Sequence, residues 1–271
     1  MRHVLHHAWL CGEAGVGQGK EFSPDYFNIG TVSQTLWCDF VESSLFADDG
    51  GDVVFGDTAE ECQYKIQKAV NRKTEWYRNA GLTLNIAKSE IIGFGFTPNP
   101  ITIDDKMITP SSSIKFLGLI IQSNLKWDKQ VTELCQKMRW SAGRIRSEGN
   151  LFGLKDKRIL FNAWIMGVLH SNALAFLPSL TEGQISALQT AMNAGIRAVL
   201  NLPRKSITSM TTLRVKHGFL SVTDVRDKCL MLGAQKKEKI ICSAHKTWMV
   251  RARGLSQEAT YHIQIVKDKL E

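Results

Sequence analysis

The sequence predicts an α+β fold, with strands and a helix in its first half and helices alone in its second. Three observations carry this. The apolar period changes from about two to about 3.6 residues near residue 124. The charge changes at the same place: residues 1–125 hold 10 Lys and Arg against 15 Asp and Glu, a net −5, while residues 126–254 hold 22 against 8, a net +14. Apolar residues make up 44% of the 271, which is enough to build a core and excludes wholesale disorder. The last 17 residues return to −1, with 2 basic and 3 acidic residues.

The elements follow in order. Residues 1–14 show no period. Gly15 to Gly19 reads as a loop, and Ser23-Pro24 opens a short helix through Ile29. Residues 41–55 read as two strands around Asp48-Asp49-Gly50-Gly51, because Asp-Gly between apolar runs is a hairpin signal. Thr58 to Glu61 has the form of a capping box. The helix it opens carries Cys62, Ile66, Val70 and Tyr77 on one face and stops at Gly81. Leu82–Ile86, Glu90–Phe96 and Ile101–Ile108 read as strands, the last turning at Asp104-Asp105. Ile114–Ile121 reads as one apolar strand.

Beyond Asn124 the helices begin. One is capped by Asp128, with Val131, Leu134, Cys135, Met138 and Ile145 inward. A second runs from about Lys155 to Phe176 and ends before Pro178. A third is capped by Thr181, with Ile185, Leu188, Met192, Ile196 and Val199 inward. A fourth runs from Thr223 to about Lys239.

Composition also bounds the function. The +14 segment points to a polyanionic partner. Six cysteines are scattered without a C-x-x-C pair, which fits a reduced, intracellular protein of nucleus or cytoplasm. No apolar run reaches the ~18 residues of a membrane span, so no membrane partner is expected. The first residues, with His3, His6, His7 and Glu13, lack an apolar signal core, so secretion is not expected.

Asp48 and Asp49 stand out chemically. Two adjacent carboxylates at a strand connection repel unless a cation neutralises them. Mg²⁺ takes one or two carboxylates together with substrate phosphates, and a pair of such ions can promote an in-line displacement. Taken alone, these residues favour a solvated acidic turn with no metal.

Four segments occur in order: Gly15-Val-Gly-Gln-Gly-Lys to Ile29, Phe46-Ala-Asp-Asp49, Gly81-Leu-Thr-Leu-Asn-Ile-Ala-Lys-Ser-Glu90, and Ile114-Lys-Phe-Leu-Gly-Leu-Ile120. Together they resemble the reverse transcriptases of non-LTR retrotransposons, over residues 15–230. Asn201-Leu-Pro203 resembles that family's C-terminal extension. The resemblance implies an RNA-directed DNA polymerase: part of a palm over 15–124, then a helical thumb and extension over 125–254, with 1–14 outside the pattern and 255–271 a tail. It implies Mg²⁺ or Mn²⁺, deoxynucleoside triphosphates, an RNA template and a DNA primer. By position, Asp48 matches the metal-binding aspartate and Asp49 its neighbour. Phe46, Gln18 and Gly19 match template and nucleotide contacts, and Lys88 matches a lysine beside the triphosphate. Phe116, Leu117 and Gly118 match the hairpin that grips the primer end. Lys137, Arg139, Arg144 and Arg146 become backbone contacts of the thumb.

The chain departs from the pattern. The family's other essential aspartate lies upstream of the Gln-Gly loop, and the residues before Gly15 hold none, nor the fingers. Gly17 replaces a proline, Lys20 a serine, and Gly50-Gly51 apolar residues, which is expected to loosen the second strand. Impaired polymerisation is therefore expected, with a non-catalytic nucleic-acid-binding remnant as the alternative.

Overall fold

The computed structural model describes residues 25, 31, 40–46, 49–203, 208–235 and 262–269. It is a mixed α+β chain with small antiparallel sheets. The helix expected over 24–29 is described at Asp25 alone, and the loop before it lies outside the described residues. The chain divides into two compact units, Met1–Leu117 with Gln122–Leu125 and Lys246–Glu271, and Gly118–Ile121 with Lys126–His245. One boundary, at residues 125–126, falls where charge and period change together, and another, at 245–246, falls inside the basic segment.

In the first unit, β1 (Val41–Phe46) and β2 (Asp49–Gly56) form an antiparallel hairpin whose register pairs Phe46 with Asp49. The connection is therefore residues 47–48, and Asp49, Gly50 and Gly51 belong to the strand rather than to the expected turn. Helix α1 (Ala59–Asn79) begins where Thr58 Oγ1 accepts from Glu61 N–H at 3.1 Å. The Glu61 carboxylate reaches back to Asp57 N–H at 2.8 Å. The helix ends in a Schellman turn: Leu82 N–H donates to Tyr77 O, Gly81 N–H donates to Arg78 O, and Gly81 takes φ 71°. Cys62, Ile66, Val70 and Tyr77 are buried as their spacing predicts. Val54, Ile91, Ile101, Ile103 and Ile108 complete this core.

The Leu82–Ile86 segment is not a strand. Ile86–Lys88 forms a 3₁₀ turn, held by Lys88 N–H donating to Asn85 O and by Ser89 Oγ donating to the same carbonyl. Strand β3 (Glu90–Phe94) follows. Strands β4 (Ile101–Ile103) and β5 (Lys106–Ile108) form the hairpin expected around Asp104-Asp105, both at positive φ. The Gln67 side chain accepts from Thr102 N–H and donates to Thr102 O, so α1 satisfies the backbone of β4. The expected strand Ile114–Ile121 is instead a second hairpin, β6 (Ser113–Phe116) and β7 (Leu119–Gln122).

Residues 255–271 are not a simple tail. Their segment His262–Lys269 is strand β8, inserted between β2 and β3 and antiparallel to both, so the sheet order is β1-β2-β8-β3.

The second unit is helical. Helix α2 (Asp128–Ser147) buries Val131, Leu134, Cys135, Met138 and Ile145; its N-cap is Trp127, which donates from Nε1 to Ser179 Oγ, so Asp128 is the first helical residue and not the expected cap. The expected helix Lys155–Phe176 is broken twice. It comprises α3 (Leu154–Phe161), a π-turn Asn162–Met166, α4 (Gly167–His170) and α5 (Ala173–Phe176), with Asn172 at φ 58° between the last two. Helix α6 (Glu182–Val199) opens with a complete capping box between Thr181 and Gln184. It ends in a Schellman turn with Asn201 at φ 54°. Helix α7 (Met210–His217) has no counterpart in the sequence reading. Helix α8 (Val222–Gln235) opens at Ser221, whose Oγ accepts from Asp224 N–H while Asp224 Oδ2 accepts from Ser221 N–H. Among the described residues no single helix is long and apolar enough to cross a membrane.

Candidate functional site

Alternation along β2 divides its residues between two faces. Asp52 and Val54 point at α1, so Asp49 and Gly51 share the opposite face. Residues directly opposite in an antiparallel pair lie on the same face. Phe46, paired with Asp49, and Ser44, paired with Gly51, therefore belong to it as well. Phe46 is 67% exposed at the end of β1. Asp48 lies outside the described residues, as do Gln18 and Gly19.

Register places Lys88 at the same end of the sheet. Asp49 pairs with Lys269 and Glu90 pairs with Lys267, so β2 and β3 both start at that end. Lys88 is exposed two residues before β3. One strand separates β2 from β3, which sets their backbones roughly 10 Å apart.

Phe116 closes the other side of this face. A Cβ added to Gly51 would stand 2.9 Å from Cζ of the Phe116 ring. Gly51 is thus the residue that lets the ring lie on the sheet. The expectation that Gly50-Gly51 merely loosens the strand is corrected at Gly51. The residues after Phe116 turn tightly: Leu117 has φ 46° and Gly118 φ 82°, the primed geometry that a two-residue hairpin requires. Glycine suits that position. A leucine there costs about 1–2 kcal/mol, and Leu117 is 40% exposed instead of packed in a strand core.

The other carboxylate of β2 is engaged. Asp52 is 2% exposed, accepts from Ser43 Oγ at 2.6 Å and pairs with Lys73 Nζ at 2.8 Å. Sequence reading missed this pair. Its signal was a lysine at the helical spacing of the apolar stripe, three residues after Val70.

In the helical unit the four cations singled out by resemblance separate into two kinds. Lys137 pairs with Glu133 at 2.6 Å. Arg144 pairs with Glu148 at 3.0 Å, and its guanidinium lies 5.1 Å and 4.7 Å from the ring centres of Trp140 and Trp164. Arg139 and Arg146 instead line a cavity of about 340 Å³ between α2 and α6, together with Arg197. Arg146 Nη1 donates to Leu202 O at 3.0 Å. Arg197 Nε is buried without a hydrogen-bond partner, a deficit of about 1–3 kcal/mol. Arg197 was missed because its helix was read only for its apolar stripe.

Lys157 is buried as well, with Nζ donating to Asn201 Oδ1 at 2.7 Å. It thereby fixes the Asn201-Leu-Pro203 turn. The cysteines described, Cys62, Cys135 and Cys229, are buried thiols in no disulfide. Burial pushes Cys62 up to about 11 and raises the other two, so none is a ready nucleophile at neutral pH.

Asp49 and Glu90 are carboxylates at this end of the sheet, and Asp52 is held by Lys73 on the opposite face. Among the described residues no three His, Cys, Asp or Glu side chains gather as a metal site. One carboxylate with its neighbour and substrate phosphates suits Mg²⁺, which keeps water as its remaining ligands. No family model matches the chain, and no curated protein or solved structure matches it.

Proposed function

We propose that this chain is a segment of an RNA-directed DNA polymerase, part of a palm joined to a nucleic-acid-binding thumb. The observation that carries the reading is the sheet face on which Phe46, Asp49 and Phe116 fall together. These residues come from two of the four segments that resemble non-LTR reverse transcriptases, and the fold brings them within one surface.

Asp48 and Asp49 would hold Mg²⁺ or Mn²⁺. The ion supplies charge neutralisation for a phosphoryl transfer in which a primer 3′-hydroxyl attacks a deoxynucleoside triphosphate and pyrophosphate leaves. The exposed ring of Phe46 offers a stacking surface beside the acids. Lys88, at the same end of the sheet, places a cation for the triphosphate. Phe116, fixed on Gly51, carries the turn assigned to the primer end. Template RNA and primer DNA would be held through their phosphates by the helical unit, whose residues 126–245 hold 19 Lys and Arg against 8 Asp and Glu, a net +11 that supports a polyanionic partner. Activity should be weak, because the only other acid in β2, Asp52, is locked to Lys73 and is not available as a further metal ligand.

Primer extension on an RNA template tests this, using the full chain with Mg²⁺ or Mn²⁺. The expected result is a small amount of product that disappears with Asp48→Ala. Product that persists unchanged in that variant would overturn the metal assignment. Salt-sensitive binding of a primer–template without extension would favour the non-catalytic reading, which the arginine cavity supports.

A further inference from the structure

We propose that the cavity between α2 and α6 is a phosphate site that seats one nucleotide unit of a bound nucleic-acid strand. The inference rests on the nucleic-acid reading of the helical unit and not on polymerisation.

Three observations converge. Arg139 and Arg146 from one helix and Arg197 from the other face a common space of about 340 Å³, and among the described residues no carboxylate lines it. Three guanidinium groups around one cavity repel each other until an anion enters. Second, the buried Nε of Arg197 has no hydrogen-bond partner. An unsatisfied buried polar atom calls for an explanation, and a bound ion is one of those it can have.

Third, Gly143 lies in the interior of α2 and lines the same cavity. Glycine there weakens a helix relative to alanine. A Cβ added at Gly143 would meet nothing within 4 Å, so packing within the protein does not require the glycine. With Ala142 and Ala194 it leaves a low, apolar floor between the arginines. The spacing explains the shape. Arg139, Ala142, Gly143 and Arg146 follow the i, i+3, i+4, i+7 rule on α2, and Ala194 and Arg197 are i, i+3 on α6.

The chemistry selects a phosphate. Guanidinium forks match phosphate oxygens two at a time. The volume is that of a small-molecule site and exceeds what a lone anion needs, so the apolar floor has room for a sugar or base. The net charge of +11 over residues 126–245 favours a strand over an isolated nucleotide.

The test is binding of a fluorescent oligonucleotide to the full chain across a salt series, with inorganic pyrophosphate and a polyglutamate peptide as competitors. Gly143→Leu fills the cavity without changing charge, and Arg197→Gln removes one donor. Lys155→Gln, exposed and outside the cavity, controls for net charge. Thermal melting confirms that each variant folds. The expected result is about tenfold weaker oligonucleotide binding in the two cavity variants, little change in the control, and a salt slope smaller by about 1 in Arg197→Gln. Pyrophosphate binding that falls in the same variants also supports a phosphate site. Were only pyrophosphate affected, the pocket would take free phosphate, and the strand assignment would be overturned. Polyglutamate competing as well as pyrophosphate overturns the phosphate preference. Cavity variants that bind like wild type overturn the site while leaving the nucleic-acid reading intact. A wild-type chain with no salt-sensitive binding defeats that reading itself.

Discussion

The two units hold themselves together differently. The helical unit is built from apolar stripes on α2, α3 and α6 around one continuous core that includes Met138, Phe161, Ile165, Leu188 and Ile196. The sheet unit has a smaller apolar cluster and buries an ion pair, Asp52 with Lys73, beside it. Its sheet is completed by a strand from the far end of the sequence, so that Asp49 pairs with Lys269. The comparison teaches that a local pattern sufficed for one unit, while the other depends on a remote strand and on a buried charge that tolerates no loss of its partner.

The largest expected effect comes from removing that strand. Deleting residues 262–271 leaves β2 and β3 with unpaired edges on either side of an empty slot. The sheet unit should lose cooperative folding and aggregate, while the helical circular dichroism largely persists. Limited proteolysis would report which unit is cut. Equal loss in both units would break the comparison.

Next in size is Lys73→Met. It strands the Asp52 carboxylate in the core with only the Ser43 hydroxyl, at a cost of about 3–5 kcal/mol. The double replacement Asp52→Leu with Lys73→Met should recover most of that. Denaturant unfolding measures both.

The helical unit should answer to volume instead. A Cβ at Gly195 would lie 2.3 Å from Ile165 Cδ1 and 3.1 Å from the Phe161 ring. Gly195→Ala therefore overpacks the contact between α6 and the π-turn and should cost about 1–3 kcal/mol, read as a lower melting temperature.

The smallest effect is the cap of α8. Hydrogen bonds from the Ser221 backbone and side chain hold the Asp224 carboxyl below its ordinary value of 3.8. A lowered carboxyl stabilises the fold fully above the unfolded value and loses that contribution as pH falls through the folded one. Ser221→Ala should cost about 1 kcal/mol at pH 7, and the cost should shrink in acid below the ordinary Asp range. A pH-independent difference would contradict the capping account.

Much of the helical unit was legible because a stripe of period 3.6 is a local signal. The inward residues of α2 and α6 fall as their spacing predicts, and Thr181 caps α6. The breaks at Asn162–Met166 and Asn172 were not legible, since an unbroken apolar pattern passes over them. In the sheet unit, Ile114–Ile121 reads as one strand because leucine is not a turn residue, yet Leu117 occupies the left-handed region. Leu82–Ile86 alternates like a strand, but the side chain of Ser89 and the backbone of Lys88 turn onto the Asn85 carbonyl. Strand β8 was illegible because its partners lie so far away in sequence.

The site was not legible in the same way. The shared face of Phe46 and Asp49 required the strand register, because the sequence places Asp49 in the turn. The seat of Phe116 on Gly51 required the fold, and so did the meeting of Arg197 with Arg139 and Arg146.

The central claim is that the acidic end of β2 holds a divalent ion for nucleotide chemistry. Titration of Mn²⁺ into the full chain, followed by electron paramagnetic resonance with a deoxynucleoside triphosphate present, tests it most directly. Nucleotide alone sets the background. The account predicts protein-dependent Mn²⁺ binding that is lost in the Asp48→Asn, Asp49→Asn double variant and kept in Lys155→Gln. Binding that is unchanged when both aspartates are neutralised would contradict it.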